Sequence, residues 1–343
     1  MFNVVSEYPE RFSSQEHRVL KIIHTYIQKL GLDLSGQNVL TEVGSNNYLY
    51  TPIIAALSGA KRVYAWTADT KYGKGQDIVD RCLSLAERME VNKQIEFSIN
   101  CREKRHIASA DIITNSGFIR PIDRAFISSI ERTDCVIPLM YEEWEHRAAD
   151  LDLEVCKEKN ISVAGTWENH PDLMIFSGTG QLAVKLVMEA GYEVYRNKVA
   201  IWSSDEFGLA AKSAFKGAGA SHVELFNDRD KLLKSLNEFD VIYFCDYAEK
   251  LPLIGDNGIL SVTDIVTKNP GIGVVHLFGN IDANYCIKSG IDIYPRKNGY
   301  SETMTETLAY LGPEPVIALT IAGFKVAEYL RKQENDTLCQ PMV

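Results

Sequence analysis

The sequence predicts an α/β protein of two domains, each built on a parallel sheet, with a C-terminal helix that returns to the first domain. Three observations carry this expectation. Strand-like runs alternate with helical stretches along both halves, which implies right-handed βαβ units. The alternation restarts after residue 175. After the last strand, Pro313 opens an amphipathic run, EPVIALTIAGFKVAEYLRK (314–332).

The elements follow in order. Residues 14–31 place Val19, Leu20, Ile22, Ile23, Tyr26, Ile27 and Leu30 at helical spacing, closed by Gly31. NVLTEVG (38–44) reads as a strand, and the next helix begins near Thr51-Pro52, with proline in its first turn. KRVYAWTAD (61–69) is a second strand and QDIVDRCLSLAERMEV (76–91) a second helix. QIEFSIN, ADIITNSG, CVIPLMY and NISVAGT continue the strand series. In the second half a helix over 177–196 leads into Val199–Trp202. SHVELF (221–226), DVIYFCD (240–246), GILSV (258–262) and GVVHLFG (273–279) are the further strands expected there. The expected division is 1–175, completed by 300–343, and 176–299.

Composition bounds the function. A length of 343 residues suffices for two cores, and a 45% hydrophobic content argues against disorder. The net charge of −10, with Lys and Arg scattered, argues against nucleic acid or an anionic membrane as main partner. A small-molecule ligand is the expected partner. Seven dispersed cysteines without a CxxC suit reduced thiols and a cytoplasmic location. The start, MFNVVSEYPERF, lacks the basic and apolar regions of a signal peptide, and no run is long enough to span a membrane. No His/Cys/Asp set has metal-ligand spacing.

Two strand-to-helix turns draw the eye. Ser203-Ser204-Asp205-Glu206-Phe207-Gly208 lies between VAIW and the helical LAAKSAFKGAGA, the layout of a dinucleotide-binding turn, but only the last glycine of G-x-G-x-x-G is present. Asp205 stands where the backbone would approach a pyrophosphate. A carboxylate about 4 Å from a phosphate costs about 1 kcal/mol in water and about 4 at an effective dielectric of 20. Asp228, twenty residues beyond Gly208, stands where an acid would hold a ribose hydroxyl and favour NAD. The turn reads either as an NAD site or as a plain structural turn. The other turn, TEVGSNNYLY (41–50), has Gly44, with Asp69 ending the following strand, and is similar to the nucleotide turn of S-adenosylmethionine methyltransferases.

The order of parts resembles the formate/glycerate dehydrogenase-like superfamily, which includes D-2-hydroxyacid dehydrogenases and S-adenosylhomocysteine hydrolase. The resemblance runs from about 107 to 300 and rests on ADLDLEVCKEKNISVAGT (149–166), NKVAIWSSDEFGLAAKSAFKGAGASHV (197–223), HLFGNIDANY (276–285) and Tyr294–Tyr300. It implies a flavodoxin-like first domain, a Rossmann-like NAD(P)-binding-type second domain and, by analogy with relatives, a homodimer. The dehydrogenases' Arg/Glu/His set is missing. The Phe278-Gly279 region occupies the arginine position, Arg296 occupies the histidine position, and there is no glutamate between 280 and 295. Two functions follow as expectations: a divergent NAD(P)-dependent oxidoreductase acting on a polar or anionic substrate in the interdomain cleft, or a non-redox ligand-binding or regulatory protein on the same scaffold.

Candidate residues sit at strand ends. In MYEEWEHRAADLD (140–152), Glu142 or Glu145 is a candidate general base, Trp144 an apolar wall and Arg147 an anion clamp, although a solvated charged helix start has the same composition. Glu168, Asn169 and His170 follow the next strand, with His170 a candidate acid/base. His276 is a second candidate, and Asn280, Asp282, Arg296, Lys297 and Tyr300 are candidates for holding an anionic substrate. Either histidine reads equally as a hydrogen-bonded structural residue.

Overall fold

The computed structural model describes residues 11–71 and 73–343, so most of the amino-terminal stretch read above for a leader lies outside the described residues. The chain divides into two compact units, one running to Met174 and completed by Pro313–Val343, the other spanning Ile175–Gly312. The strands of the first are β1 (Asn38–Glu42), β2 (Arg62–Thr67), β3 (Ile95–Ile99), β4 (Ile112–Ile113), β5 (Val136–Pro138) and β6 (Ser162–Thr166). The second contains β7 (Lys198–Trp202), β8 (His222–Phe226), β9 (Val241–Phe244), β10 (Gly273–His276) and β11 (Ile293–Tyr294). A last strand, β12 (Cys339–Pro341), joins the first sheet antiparallel to β6.

Local chemistry sets the elements. The helix Ser14–Leu30 starts at a capping box between Ser13 and Glu16 and stops at Gly31, whose φ of 57° a side chain would resist. It buries Val19, Leu20, Ile23 and Ile27 in a core shared with Ile317, Ile321 and Phe324 of the C-terminal helix Pro313–Lys332. That helix therefore completes the first unit. The stretch GILSV is not a strand. Ser261 and Asp264 form a capping box that starts the helix Val262–Lys268, leaving Leu260 only an isolated bridge to Ile254. The helix predicted to reach residue 196 ends at Glu189, just before Gly191 turns the chain at φ 93°.

The first sheet runs β12-β6-β5-β4-β1-β2-β3 and the second β11-β10-β9-β7-β8. Both are parallel apart from β12. Counted from β1, the first order is 3-2-1-4-5-6, that of the dinucleotide-binding folds. Counted from β7, the second is 2-1-3-4-5, the flavodoxin order. This corrects the labels expected for the two units while leaving the doubly wound class intact. The cause is topological: after β8 the chain passes through one helix, Arg229–Ser235, and crosses directly to β9 on the far side of β7. The switch points, where ligands of such sheets bind, lie between β1 and β4 and between β7 and β9.

Candidate functional site

At the second switch point the turn after β7 is closed by its own side chains. Asp205 caps the helix Glu206–Gly217: one carboxylate oxygen accepts from the Phe207 amide at 3.0 Å and from Ser203 Oγ at 2.8 Å. The other oxygen accepts from the Tyr247 amide at 2.7 Å, across the switch point. Asp246, just beyond β9, answers from the opposite side. It accepts from the Ser204 amide at 2.7 Å and from Ser204 Oγ at 2.6 Å, and its second oxygen takes the Ala248 amide at 3.1 Å. The two carboxylates thus occupy amides that a dinucleotide turn offers to phosphate.

Packing closes the turn further. Phe207 is buried with its ring centroid 4.6 Å from Phe176 and 4.7 Å from Phe278. A Cβ on Gly208 would lie 2.6 Å from Ser203 Cβ and 2.8 Å from Leu225 Cδ1, so this glycine serves close helix–strand packing. Glu206 is the first residue of the helix, and its charge suits that end of the dipole. Asp228 caps the helix Arg229–Ser235 through the amides of Asp230 and Lys231. These residues do not fit a pyrophosphate in the usual pose.

The segment 276–300 of the same unit is tied together rather than presented to a ligand. His276 is fully buried; one ring nitrogen is 3.0 Å from the Pro295 carbonyl and the other 3.0 Å from Thr305 Oγ1. Burial lowers its pKa to about 4, so it stays neutral, and this corrects the expectation of a proton-transfer residue. Asn280 bonds the Lys250 carbonyl and the Ser301 amide, and Asp282 caps the helix Ala283–Lys288 through Tyr285. Arg296 pairs with Asp292 and Lys297 with Glu306, so these cations are already partnered. Tyr300 is exposed and bonds the Gly279 amide through its carbonyl.

In the first unit the structure brings three predicted carboxylates together at the carboxyl ends of β5 and β6. Gly165 of β6 allows this approach, because a Cβ there would lie 2.6 Å from the Glu143 amide nitrogen. The loop after β5 then docks through the Thr166 amide on the Tyr141 carbonyl and the Glu143 amide on Gln340 Oε1, which stands on β12. Glu142 is buried, accepting from the Glu168 amide at 2.9 Å and from the Trp144 indole. Burial and then the charge of Glu142 raise the pKa of Glu145. Burial and the charges of Glu145 and Glu142 push Glu168 up to about 8. Trp144 is half exposed, Arg147 lies exposed on the following turn, and Asn169 is partly buried next to Glu168. His170 accepts from the Asp172 amide at 3.2 Å and meets the Trp167 ring edge-on.

Several residues at both switch points escaped sequence reasoning. Asp246 and Tyr247 follow a strand whose last residues, CDY, carry no motif. Glu42, at the end of β1, is buried and accepts from the Phe118 amide at 3.2 Å; burial raises its pKa. Arg120 bonds Asn115 Oδ1 at 2.7 Å, pairs with Asp150 at 3.3 Å and lies over the Tyr141 ring. An acid ending a strand is the one signal that could have flagged Glu42 and Asp246.

No protein-family model matches the chain, and no curated protein does. Solved structures do. The chain is similar to a dipicolinate synthase from Bacillus halodurans at 14% identity, over 88% of this chain and 98% of that one, with a TM-score of 0.52. It is also similar to the dipicolinate synthase from Bacillus subtilis at 13% identity, over 88% and 97%, with a TM-score of 0.52. A D-isomer specific 2-hydroxyacid dehydrogenase from Lactobacillus delbrueckii ssp. bulgaricus, in its NAD complexed form, aligns at 8% identity over 88% and 99%, with a TM-score of 0.51. The fold is therefore the two-unit, dehydrogenase-like α/β fold that D-2-hydroxyacid dehydrogenases share with these dipicolinate synthase chains. Among the described residues no group of three His, Cys, Asp or Glu side chains could hold a metal, no helix is long and apolar enough to cross a membrane, and all seven cysteines are free.

Proposed function

We propose that this chain is a non-redox, small-molecule-binding protein on a dehydrogenase-like scaffold, without dinucleotide binding at the Ser203–Gly208 turn. The observation that carries this reading is the reciprocal pair of carboxylates, Asp205 on the Tyr247 amide and Asp246 on the Ser204 amide. A pyrophosphate entering there would displace both and meet two negative charges. The polar chemistry of the protein rests instead on Glu142, Glu145 and Glu168. With its pKa raised to about 8, Glu168 is a carboxylic acid at neutral pH and a proton donor to a polar ligand, while Glu142 stays tied to the backbone.

A second reading, an NAD(P)-dependent oxidoreductase acting on a polar or anionic substrate, has two supports. Gly208 keeps the helix–strand packing of a dinucleotide turn, and one solved relative was determined as an NAD complex. Calorimetry and thermal shift with millimolar NAD and NADP separate the two. The proposal expects no saturable binding at the turn. Saturable binding with shifted amide resonances at Ser204, Phe207 and Tyr247 would overturn it in favour of the dehydrogenase reading.

A further inference from the structure

The first unit has the strand order of a dinucleotide-binding sheet, with its switch point at β1 and β4. Beside it, at the carboxyl ends, lies a cavity of about 440 Å³, within the range that small-molecule sites occupy. Trp66 and Ala68 at the end of β2 and Phe118 after β4 give it apolar and aromatic walls. Asn100 and Arg102, directly after β3, and Arg120 complete the lining. Arg102 donates to the main-chain carbonyls of Pro121 and Arg120, which orients its guanidinium, and among the described residues no carboxylate forms an ion pair with it. Asp69 follows the lining residue Ala68, and its carboxylate is held by the Asn100 amide group and the Gly75 amide. An acid at this point, closing the second strand, is where a ribose hydroxyl is bound in sheets of this order.

From this placement we infer that the cavity binds a nucleotide. The ring lies against Trp66, Ala68 and Phe118, the ribose faces Asp69, and an anionic group is held by Arg102, with Arg120 adding positive charge. Each of Arg102's remaining N–H groups can give a phosphate a charge-assisted hydrogen bond. The site is separate from both the Glu142–Glu168 cluster and the Ser203–Gly208 turn, and it stands whether or not the function proposed above holds.

The test is titration of the full chain with AMP, adenosine and inorganic phosphate, followed by calorimetry and amide and indole resonances. AMP should bind with shifts at Asn100–Arg102, at Gly117 and Phe118, and at the Trp66 indole. Adenosine should bind about tenfold more weakly, the worth of one charge-assisted contact. Arg102→Ala should bring AMP down to the affinity of adenosine, Arg102→Lys should keep part of the difference, and Phe118→Ala should weaken both ligands. Arg102 is exposed on a loop, so its variants should keep the wild-type melting temperature. No saturable AMP binding at millimolar concentration, equal binding of inorganic phosphate, or an AMP footprint elsewhere would each overturn the inference. A footprint at Ser204, Phe207 and Tyr247 would overturn the function proposed above as well, so the two failures remain distinguishable.

Discussion

The two switch points of this chain solve the same geometric problem in opposite ways. At each, neighbouring parallel strands send their connections in opposite directions and leave a crevice at the carboxyl ends. Between β7 and β9 two aspartates reach across and bond each other's turn, and Phe207 packs over the gap. Beside β1 and β4 the equivalent acid, Glu42, is buried against the Phe118 amide, and a cavity remains next to it. A carboxylate of the protein can thus stand in for the anion that a turn would otherwise bind, and whether it does so depends on where the partner loop puts its amides.

Breaking the closed side should have the largest effect. Asp246→Ala leaves the Ser204 amide and hydroxyl and the Ala248 amide without their acceptor, and should cost about 3 kcal/mol in chemical denaturation. If the carboxylate does substitute for an anion, phosphate or pyrophosphate should raise the melting temperature of this variant and leave wild type unchanged. A glycine comparison comes next. Gly208→Ala drives a methyl into Ser203 and Leu225 and should cost about 2 kcal/mol, whereas Gly44→Ala meets only Tyr48 Cβ at 2.9 Å, on an exposed short turn, and should cost about 1 kcal/mol. Equal losses would mean that the two turns are packed alike.

The smallest effects concern pH, and they run in opposite directions in the two units. Glu168 has a folded pKa of about 8, above the ordinary value near 4.5, so its contribution is most favourable below pH 4.5 and is lost as pH rises toward 8. Glu168→Gln should therefore raise the melting temperature at pH 8 by several degrees, with the gain vanishing near pH 4.5. His276 has a folded pKa of about 4, below the ordinary 6.5, so its neutral form supports the second unit above pH 6.5 and the support is lost as pH falls toward 4. His276→Gln should flatten the melting curve between those limits. A variant that kept the wild-type slope would remove histidine burial as its cause.

Much of this was legible in the sequence. The alternation of strands and helices, the restart after residue 175 and the apolar face of residues 314–332 are local patterns, and the elements follow them. GILSV failed because its hydrophobic run ends in a capping box, and local capping outweighed strand propensity. The cluster of Glu142, Glu145 and Glu168 could be suspected from strand-end position, but its assembly needs Gly165 to admit the loop and Gln340, 197 residues beyond Glu143, to hold it. His276 could not be judged, because a histidine's role depends on what faces its two nitrogens.

What the sequence by itself determined is the class: two doubly wound α/β units, a C-terminal helix belonging to the first, and a dinucleotide-type turn at 203–208 stripped of its leading glycines. Periodicity, caps and glycine positions are properties of neighbouring residues, so the chain carries them openly. Tertiary structure alone decided the strand orders, the direction of the Asp205 carboxylate and its pairing across β9. The two carboxylate bonds join segments 42 residues apart, and such partners are chosen by the sheet that brings them together.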